Sequence, residues 1–592
     1  MRRALPFLGF ALLLIVTRLF VATVSSEPFE RGEEYVRGSA ALALTGGLLD
    51  GINAELEALD EAPVGYEALF YHAYEGGGFV HALLTVPAFA LFGPSLLAHK
   101  VVAIGFELFV LLAGFLLARE VFGARAGIPF CLLWIFSPLA FQEIAPLNLG
   151  IHYQALLFQF GVAALGLGVL RGAPRPFALG VLGGFGLFYN YQLAPLIGLL
   201  ALAFLLGRCL DAKGWGRLIA GFAVGGLPLW YMLAATGSAM FDIHGQQLGD
   251  EGVQSASLVE VLRNFGRALG PRGALQATGL TALAVFAARR GPRAARLLFG
   301  YVLLFALLIP FTGFLSANFD YSFGAMRYAP LFGFTTVLAA GAVSLLPLRA
   351  AGPSLSVLVL AGLSSTLATA NTGDGPAAGF ERIASTRGTD FGDYFSKLQR
   401  RFPERLSADP SAAMRALAHV GGAPRLEVLT AATRAITHKQ KEPLEVLVPQ
   451  LQAAFPGEWQ LALGGLGAWA MRGSRGELFV GQRKLRQQLL KLPREARRDV
   501  PADELVDSAL EGLGRFGTGA FPTTENLRGE LDQMRDRAIR GSVYLGHGAR
   551  LYHALCLAPS RLETLLEGRN PELQERIRTG FERERLAREL GR

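Results

Sequence analysis

Residues 5–24, LPFLGFALLLIVTRLFVATV, form an apolar run without a turn signal. A helix needs about 20 predominantly apolar residues to cross the roughly 30 Å of hydrocarbon in a bilayer, and this run has that length. Comparable runs continue to residue 370, after which charged residues appear every few positions. The sequence therefore predicts a membrane-embedded domain, residues 1–370, and a soluble domain, residues 371–592.

The predicted spans, eleven in all, cover residues 5–24, 99–118, 128–147, 155–170, 177–190, 191–207, 218–235, 274–288, 297–315, 329–347 and 354–370. The first run also fits a signal peptide, but it is long and Ser25-Ser26 is a weak cleavage site, so a retained span is preferred. Residues 79–93 are apolar but short, and Gly93-Pro94 ends them. They are predicted to form an interfacial helix within an outer loop, residues 25–98.

The charges between the runs set the predicted orientation. With a cytoplasmic N-terminus, the inner segments contain Arg2, Arg3, Arg119, Arg125, Arg171, Arg175, Arg208, Lys213, Arg217, Arg289, Arg290, Arg293, Arg296 and Arg349. The first outer loop instead contains Glu27, Glu30, Glu33, Glu34, Asp50, Glu55, Glu57, Asp60, Glu61, Glu67 and Glu75. Lysine and arginine concentrate in cytoplasmic loops, so this asymmetry supports the orientation and predicts an extracytoplasmic C-terminal domain. No eukaryotic sorting signal is apparent, and a bacterial inner membrane is the expected location.

The C-terminal domain is predicted to consist of amphipathic helices. Residues 442–455 carry apolar side chains at close to helical spacing, and Ser560-Arg-Leu-Glu563 is a capping box. Glycine pairs at 465–467, 512–514 and 545–548 suggest helical hairpins packed through small residues, although their unequal spacing does not establish a repeat. No strand pattern stands out. The expected fold is all-α: a polytopic bundle followed by a helical, repeat-like domain.

Composition narrows the functional classes. The chain has 3 cysteines, too few for a disulfide framework. Its pI is about 9.5, but the basic residues lie mostly between predicted spans, where topology explains them better than nucleic-acid binding. Neither a Walker loop nor a dinucleotide fingerprint appears, which argues against a nucleotide-driven pump.

Glu33 and Glu34 are the first candidates for chemistry. They lie a few residues beyond the first span, in the acidic outer loop. Adjacent carboxylates at a bilayer surface can bind a divalent cation, or one can act as a general base while the other tunes its pKa. The alternative is a solvated acidic loop, which spacing alone favours.

Several motifs occur in an order that resembles one family. These are Gly32-Glu-Glu-Tyr-Val-Arg-Gly38, Tyr74-Glu-Gly-Gly-Gly-Phe-Val-His-Ala-Leu-Leu84, Leu91-Phe-Gly-Pro-Ser95, His99-Lys-Val101, Arg119-Glu-Val-Phe-Gly-Ala-Arg125 and Met326-Arg-Tyr-Ala-Pro330. Together they resemble the polytopic GT-C glycosyltransferases, in particular bacterial relatives of the protein O-mannosyltransferase and dolichyl-phosphate-mannose families. The resemblance covers about residues 1–350. It departs from the family at Glu33, where Asp is usual, and at Gly76-Gly77-Gly78, where His-Pro-Pro is common.

The resemblance implies a glycosyltransferase that uses a polyprenyl-phosphate sugar donor and a lipid, glycan or protein acceptor. Glu33 is then the expected base, with Glu34 as its alternate, and Arg327 in the Arg327-Tyr328 pair contacts the phosphate. Arg327 could equally be a snorkelling residue at a helix end. His81 and His152 are expected to face the outer cavity and contact sugar hydroxyls, although each could be an ordinary polar contact. No cofactor is firmly implied; a divalent cation stays open.

Two other classes compete with this interpretation. A transporter or flippase of lipid-linked glycans would show internally repeated bundles and charges deep in several spans. A non-catalytic membrane anchor would use the bundle only to display the C-terminal helices to a partner.

Overall fold

A computed structural model describes residues 5–24, 32–45, 76–150, 152–236, 258–308, 327–369, 444–454, 459–464, 478–498, 500–516, 541–555 and 561–589. Contacts between residues divide the chain into two compact units. The first comprises Met1–Ser26 and Leu69–Ser385, and the second comprises Glu27–Ala68 and Thr386–Arg592. The described parts of both are helical and contain no strand, so the predicted all-α fold class is confirmed. The domain boundary after residue 370 stays a prediction.

The described helices of the first unit are numbered here in chain order, with α2 reserved for a helix of the second unit. They are α1 (Leu5–Val24), α3 (Gly76–Phe92), α4 (Leu96–Phe122), α5 (Gly127–Ile135), α6 (Leu139–Ile144), α7 (Leu156–Leu170), α8 (Pro176–Tyr189), α9 (Ala194–Gly207), α10 (Ala212–Gly225), α11 (Leu227–Thr236), α12 (Leu258–Arg290), α13 (Arg293–Leu308), α14 (Ala329–Leu345) and α15 (Leu348–Thr369).

Local sequence signals set several of these bounds. Ser95 caps α4 by accepting a hydrogen bond from the Ala98 amide at 3.2 Å, and the helix ends at Gly123, whose φ of 87° suits glycine. The first predicted span coincides with α1, and residues 79–92 of the predicted interfacial segment lie in α3.

By length and hydropathy, three described helices could each cross a membrane, namely α1, α4 and α15. The pair α10 and α11 would make a fourth, bent by 55° at Gly226. Six further apolar helices have only 10–17 residues. The protein is thus a multi-pass membrane protein by the character of its helices, while the number of spans and their orientation stay predictions.

Two predicted spans differ clearly from the structure. Residues 218–235 were expected to form a single helix, but they contain the bend between α10 and α11. Residues 128–147 were expected to form a single helix, but α5 ends at Ile135 and the short helix α6 starts only at Leu139. Pro138 precedes α6 and has no amide hydrogen to continue the ladder from α5. Apolar residues on both sides of the break hide it from a hydropathy profile.

The carbonyl groups at the end of α5 find side-chain partners in distant helices. Arg18 of α1 donates to the carbonyl oxygen of Ile135 at 3.0 Å and to that of Trp134 at 3.3 Å. Irregular backbone at membrane depth is tolerated only where protein or a water-filled cavity surrounds it, because lipid offers no hydrogen-bond partner. Arg18 is completely buried and satisfies this requirement at the start of the break.

Two glutamines provide hydrogen-bond donors for the next two carbonyl groups of the break. Gln276 of α12 donates to the carbonyl oxygen of Phe136 at 2.5 Å, and Gln142 of α6 donates to that of Ser137 at 2.6 Å. Thr366 of α15 then donates to the Gln142 side-chain oxygen at 2.9 Å. The break is therefore held in place by side chains from α1, α6, α12 and α15.

The helices α8 and α10 approach until their backbones touch. A Cβ atom added at Gly180 or Gly184 would overlap carbonyl oxygens of α10, and one added at Gly221 or Gly225 would overlap carbonyl oxygens of α8. Each helix thus presents two glycines four residues apart, an arrangement that lets membrane helices pack at the shortest distance.

The second unit contains the remaining described helices: α2 (Gly32–Leu44), α16 (Leu444–Ala454), α17 (Trp459–Ala462), α18 (Leu478–Leu489), α19 (Ala502–Phe516), α20 (Gly541–Leu555), α21 (Arg561–Leu566) and α22 (Pro571–Glu589). The predicted helix over 442–455 is confirmed as α16. Residue 560 of the predicted capping box and the glycines at 465–467 lie outside the described residues.

Small residues pack the helices of this unit, as the sequence predicted. A side chain at Gly514 would overlap the Val543 carbonyl of α20, and one at Gly546 would overlap the Glu511 carbonyl of α19. A further contact joins α20 to α22 at Gly548. The half-buried Arg515 also pairs with Glu584. These contacts build a layer of three helices; a regular sequence repeat stays a prediction.

Candidate functional site

The predicted site residues fall in both units. Arg327 and Tyr328 form the turn that leads into α14, His152 lies in the turn between α6 and α7, and His81 lies in α3, so all four belong to the first unit. Glu34 is buried in the first turn of α2, in the second unit. The side chain of Glu33 lies outside the described residues.

His152 is held in an unusual backbone conformation. Its φ is 20°, outside the regions that non-glycine residues normally occupy. The amide nitrogen of Asn190 lies 3.4 Å from His152 Nδ1, while Asn190 Oδ1 accepts the backbone amide of Gln192 at 2.8 Å. Since a backbone N–H can only donate, this second bond fixes which end of the Asn190 amide faces the ring. His152 Nδ1 therefore accepts, and its proton lies on Nε2.

His152 is neutral because of its surroundings. Burial, together with the positive charge of Arg327, lowers the pKa of His152 to about 3. At any pH well above 3 the ring is uncharged and carries its proton on Nε2, while a hydrogen bond with the Gln192 side chain opposes the lowering of the pKa. Of the two side chains, Arg327 is therefore the positively charged one, and His152 is a neutral hydrogen-bond donor through Nε2.

Arg327 lies at the N-terminal end of α14. Its carbonyl oxygen accepts a hydrogen bond from Gln192 Nε2 at 3.4 Å, and its side chain is half-buried. The N-terminus of a helix carries partial positive charge and free amide hydrogens, so anions bind there readily. An arginine beside it adds a full charge and a planar fork suited to two oxygens at once. Arg327 therefore lies close enough to His152 for its charge to lower the pKa of the ring.

His81 is fully buried at the centre of a second polar network. Tyr189 at the end of α8 donates its hydroxyl to His81 Nε2 at 2.7 Å, and His81 Nδ1 bonds the side-chain oxygen of Asn148. The Asn148 amide nitrogen donates to Thr85 Oγ1 at 2.9 Å and to His99 Nδ1 at 3.0 Å. Both ring nitrogens of His81 are therefore engaged by protein groups, and the network joins α3, α4 and α8 to the segment before His152.

Glycines at the start of α3 allow its backbone to approach the turn before His152 closely enough for this network to form. A Cβ atom at Gly77 would overlap the carbonyl oxygen of Gly150, and a Cβ at Gly76 would overlap the ring of Phe188. Gly150 itself has a φ of 67°, which glycine adopts without strain. The triple glycine that departs from the family pattern thus has a physical role. It lets the start of α3 touch the backbone of the turn that carries His152.

A third cluster lies beneath the same turn. Arg18 and Glu107 form an ion pair at 2.9 Å in which both side chains are completely buried. The Tyr153 hydroxyl donates to Glu107 Oε1 at 3.0 Å, and the indole nitrogen of Trp134 donates to the same oxygen at 3.2 Å. The residue next to His152 is thereby tied to α1, α4 and α5.

Sequence reasoning missed most of the residues that hold this region together. They are Arg18, Glu107, Asn148, Tyr189, Asn190 and Gln192. Two of them gave a signal, because a charged residue within an apolar run is costly and normally has a partner. The others are ordinary polar residues whose partners are far away along the chain. Within the described residues, no group of three His, Cys, Asp or Glu side chains could hold a metal ion.

Comparison with known proteins gives a likeness at the level of the fold. No protein-family model matches the chain, and no curated protein matches it. The crystal structure of ArnT from Cupriavidus metallidurans bound to undecaprenyl phosphate is similar to it with a TM-score of 0.44 and 17% sequence identity, over 76% of this chain and 81% of that one. The crystal structure of the same ArnT in the apo state gives a TM-score of 0.41 and 16% identity, over 83% of this chain and 82% of that one.

Proposed function

We propose that this protein is a GT-C-type membrane glycosyltransferase that moves a sugar from a polyprenyl-phosphate donor to an acceptor at the outer face of a bacterial inner membrane. The observation that carries the proposal is the pairing of Arg327 with a neutral His152 at the N-terminus of α14. This arrangement would offer a positive charge and a directional donor to one anionic group. The order of motifs in the sequence supplies the donor class, and the acceptor is a lipid, glycan or protein.

The phosphate of the donor is the group that fits this region. Arg327 can bind two phosphate oxygens, and His152 Nε2 can donate to a third. As the glycosidic bond breaks, negative charge grows on the phosphate, so donors placed there favour the transition state over the bound substrate. Tyr328, adjacent in sequence and buried, extends the same turn. His81, whose ring nitrogens are engaged by Tyr189 and Asn148, contributes indirectly, by fixing the segment before His152.

The acceptor must lose a proton as its hydroxyl oxygen attacks the anomeric carbon. Glu33 is the proposed base, and Glu34, its neighbour in the first turn of α2, is the alternate. The new bond joins the acceptor oxygen to the sugar. The bond that breaks joins the sugar to the phosphate, which leaves with the polyprenyl chain. A divalent cation at the carboxylates remains compatible with this chemistry.

Replacing Arg327 by Gln is expected to weaken the binding of undecaprenyl phosphate by about 10- to 100-fold, because hydrogen bonds to charged groups contribute roughly 1.5–3 kcal/mol. Titration of the full-length protein in nanodiscs measures this directly. Arg327→Lys should recover part of the affinity, since a charge without the planar fork remains. Arg272→Gln, which alters an exposed arginine of α12, is the matched control and should bind like the parent. Equal affinities for Arg327→Gln and the parent protein would refute the phosphate assignment.

Replacing Glu33 by Gln is expected to lower sugar transfer from a polyprenyl-phosphate donor by about 100-fold while leaving donor binding intact, since removal of a general base costs at least that factor. Glu34→Gln, measured in parallel, decides which carboxylate acts. Transfer at the parental rate in both variants would remove the base assignment but not the phosphate site.

A flippase of lipid-linked glycans is the second candidate, favoured by one observation. The helix pairs α5–α6 and α10–α11 are both interrupted, and transporters often build their sites from broken helices. Proteoliposomes with donor lipid in one leaflet separate the two functions. A flippase moves the lipid without an acceptor, whereas the transferase consumes it only when the acceptor is present.

A further inference from the structure

The carboxylate of Glu107 collects donors from three separate elements. Arg18 Nε reaches both of its oxygens at 3.0 Å, Trp134 Nε1 reaches Oε1 at 3.2 Å, and the Tyr153 hydroxyl reaches Oε1 at 3.0 Å. All four side chains are completely or almost completely buried. Arg18 and Glu107 would suffice to form an ion pair between α1 and α4. The bond to Tyr153 is additional, and it leads toward the candidate site.

Tyr153 is the residue after His152, whose backbone conformation is costly. A non-glycine residue at an unfavourable φ persists only where its surroundings hold it on both sides. On the near side, Asn148 is fixed by His81, Thr85 and His99. On the C-terminal side of His152, Tyr153 is held by its hydrogen bond to Glu107. Gln154 closes the same turn by donating to the Leu147 carbonyl at 2.7 Å.

We propose that Glu107, charged and oriented by Arg18, is a positioning residue that acts through Tyr153. It holds the backbone of residues 152–153 so that the Nε2–H of His152 and the guanidinium of Arg327 can meet one phosphate group. The inference rests on the proposed function for the identity of that phosphate. The connection itself, from the buried pair to the strained turn, is a matter of geometry in the first unit.

The ion pair and the tether can be separated experimentally. Tyr153→Phe removes one hydroxyl and leaves the bonds among Arg18, Glu107 and Trp134 in place. A purely structural role for the cluster predicts almost no effect on ligand binding from this change. A positioning role predicts weaker phosphate binding and a looser turn without general unfolding.

The matched control is Tyr301→Phe. Tyr301 in α13 is also completely buried, and its hydroxyl donates to Gln159 at 3.5 Å, without any bond to the turn at residues 147–155. Both variants therefore lose one buried tyrosine hydroxyl. Only the first loses a bond to the candidate site.

The experiment compares both variants with the parent protein, full-length and in nanodiscs. Undecaprenyl phosphate is titrated, and hydrogen exchange is followed in the peptides that cover residues 147–155. We expect Tyr153→Phe to raise the Kd about tenfold and to speed exchange in those peptides, while Tyr301→Phe changes neither. Glu107→Gln should loosen the same peptides, because it removes the charge that pairs with Arg18 and leaves one acceptor oxygen in place of two.

The binding titration and the hydrogen-exchange measurement test the proposed function and the positioning role separately. A parent protein that neither binds undecaprenyl phosphate nor transfers sugar defeats the proposed function, yet exchange still tests the tether. Unchanged exchange at residues 147–155 in Tyr153→Phe overturns the positioning role. Faster exchange with parental affinity for undecaprenyl phosphate overturns it as well, since the turn would then not govern phosphate binding.

Discussion

Arg18→Met is expected to destabilise the first unit by about 3–5 kcal/mol, the usual cost of removing one partner from a buried ion pair. The variant leaves the Glu107 carboxylate without its cation in a region that no water reaches easily. It also removes the donors that serve the Trp134 and Ile135 carbonyls at the break after α5. Both losses act in the same direction. Thermal or denaturant unfolding of the full-length protein in detergent measures the effect.

A second variant sharpens this result. In the double variant Arg18→Met, Glu107→Leu, no buried charge is left uncompensated, so we expect it to be more stable than Arg18→Met alone. It should still fall short of the parent, because the Ile135 carbonyl loses its Arg18 donor, whereas the Trp134 carbonyl keeps the Ser137 amide. Arg272→Met is the control, because that arginine is exposed and its replacement should change stability by less than about 0.5 kcal/mol. An Arg18→Met protein within about 1 kcal/mol of the parent would contradict the role assigned to the cluster.

Gly77→Ala is expected to destabilise the first unit by about 3 kcal/mol, the upper end of the usual cost of overpacking. Its Cβ would overlap the backbone of Gly150, and a backbone cannot rotate away as a side chain can. The start of α3 must move, which separates His81 from Asn148 and disturbs the turn at His152. Unfolding measurements and the affinity for undecaprenyl phosphate should both report the change, with affinity reduced more than tenfold.

The control for this variant lies in the neighbouring helix. Gly105 of α4 has open space where a Cβ would be, so Gly105→Ala should be neutral or stabilising by up to about 1 kcal/mol through its better helix propensity. If Gly77→Ala behaved in the same way, the close approach of α3 to Gly150 would not be what builds the site.

Hydropathy predicted several helices of the first unit, while the number of spans stays a prediction. Long apolar runs such as residues 5–24 appear as helices because lipid and protein interior both require intrahelical hydrogen bonds. The break after Ile135 escaped prediction because the carbonyls of Ile135 and Phe136 are satisfied by Arg18 and Gln276, which lie more than a hundred residues away in sequence. A proline within an apolar run was the only local sign.

The sequence singled out members of the candidate site but not the residues that surround them. Arg327 and His152 were named separately, and the positive charge of Arg327 contributes to the low pKa of His152; their shared role stays a prediction. Their pairing depends on Asn190 and Gln192, whose contacts follow from the packing of α8 against its neighbours rather than from any local pattern. Glu33 and Glu34 stay predictions that rest on motif order.

The buried pair of Arg18 with Glu107 has a consequence for biosynthesis. When α1 enters the bilayer, its arginine has no counter-ion, and a lone arginine at the centre of a span costs about 2.5–3.5 kcal/mol on insertion scales. Its partner comes 89 residues later, and one of its carbonyl acceptors 117 residues later. The ion pair with Glu107 and the hydrogen bond to the Ile135 carbonyl therefore form only after α4 and α5 have been synthesised, and α1 reaches its final stability only then.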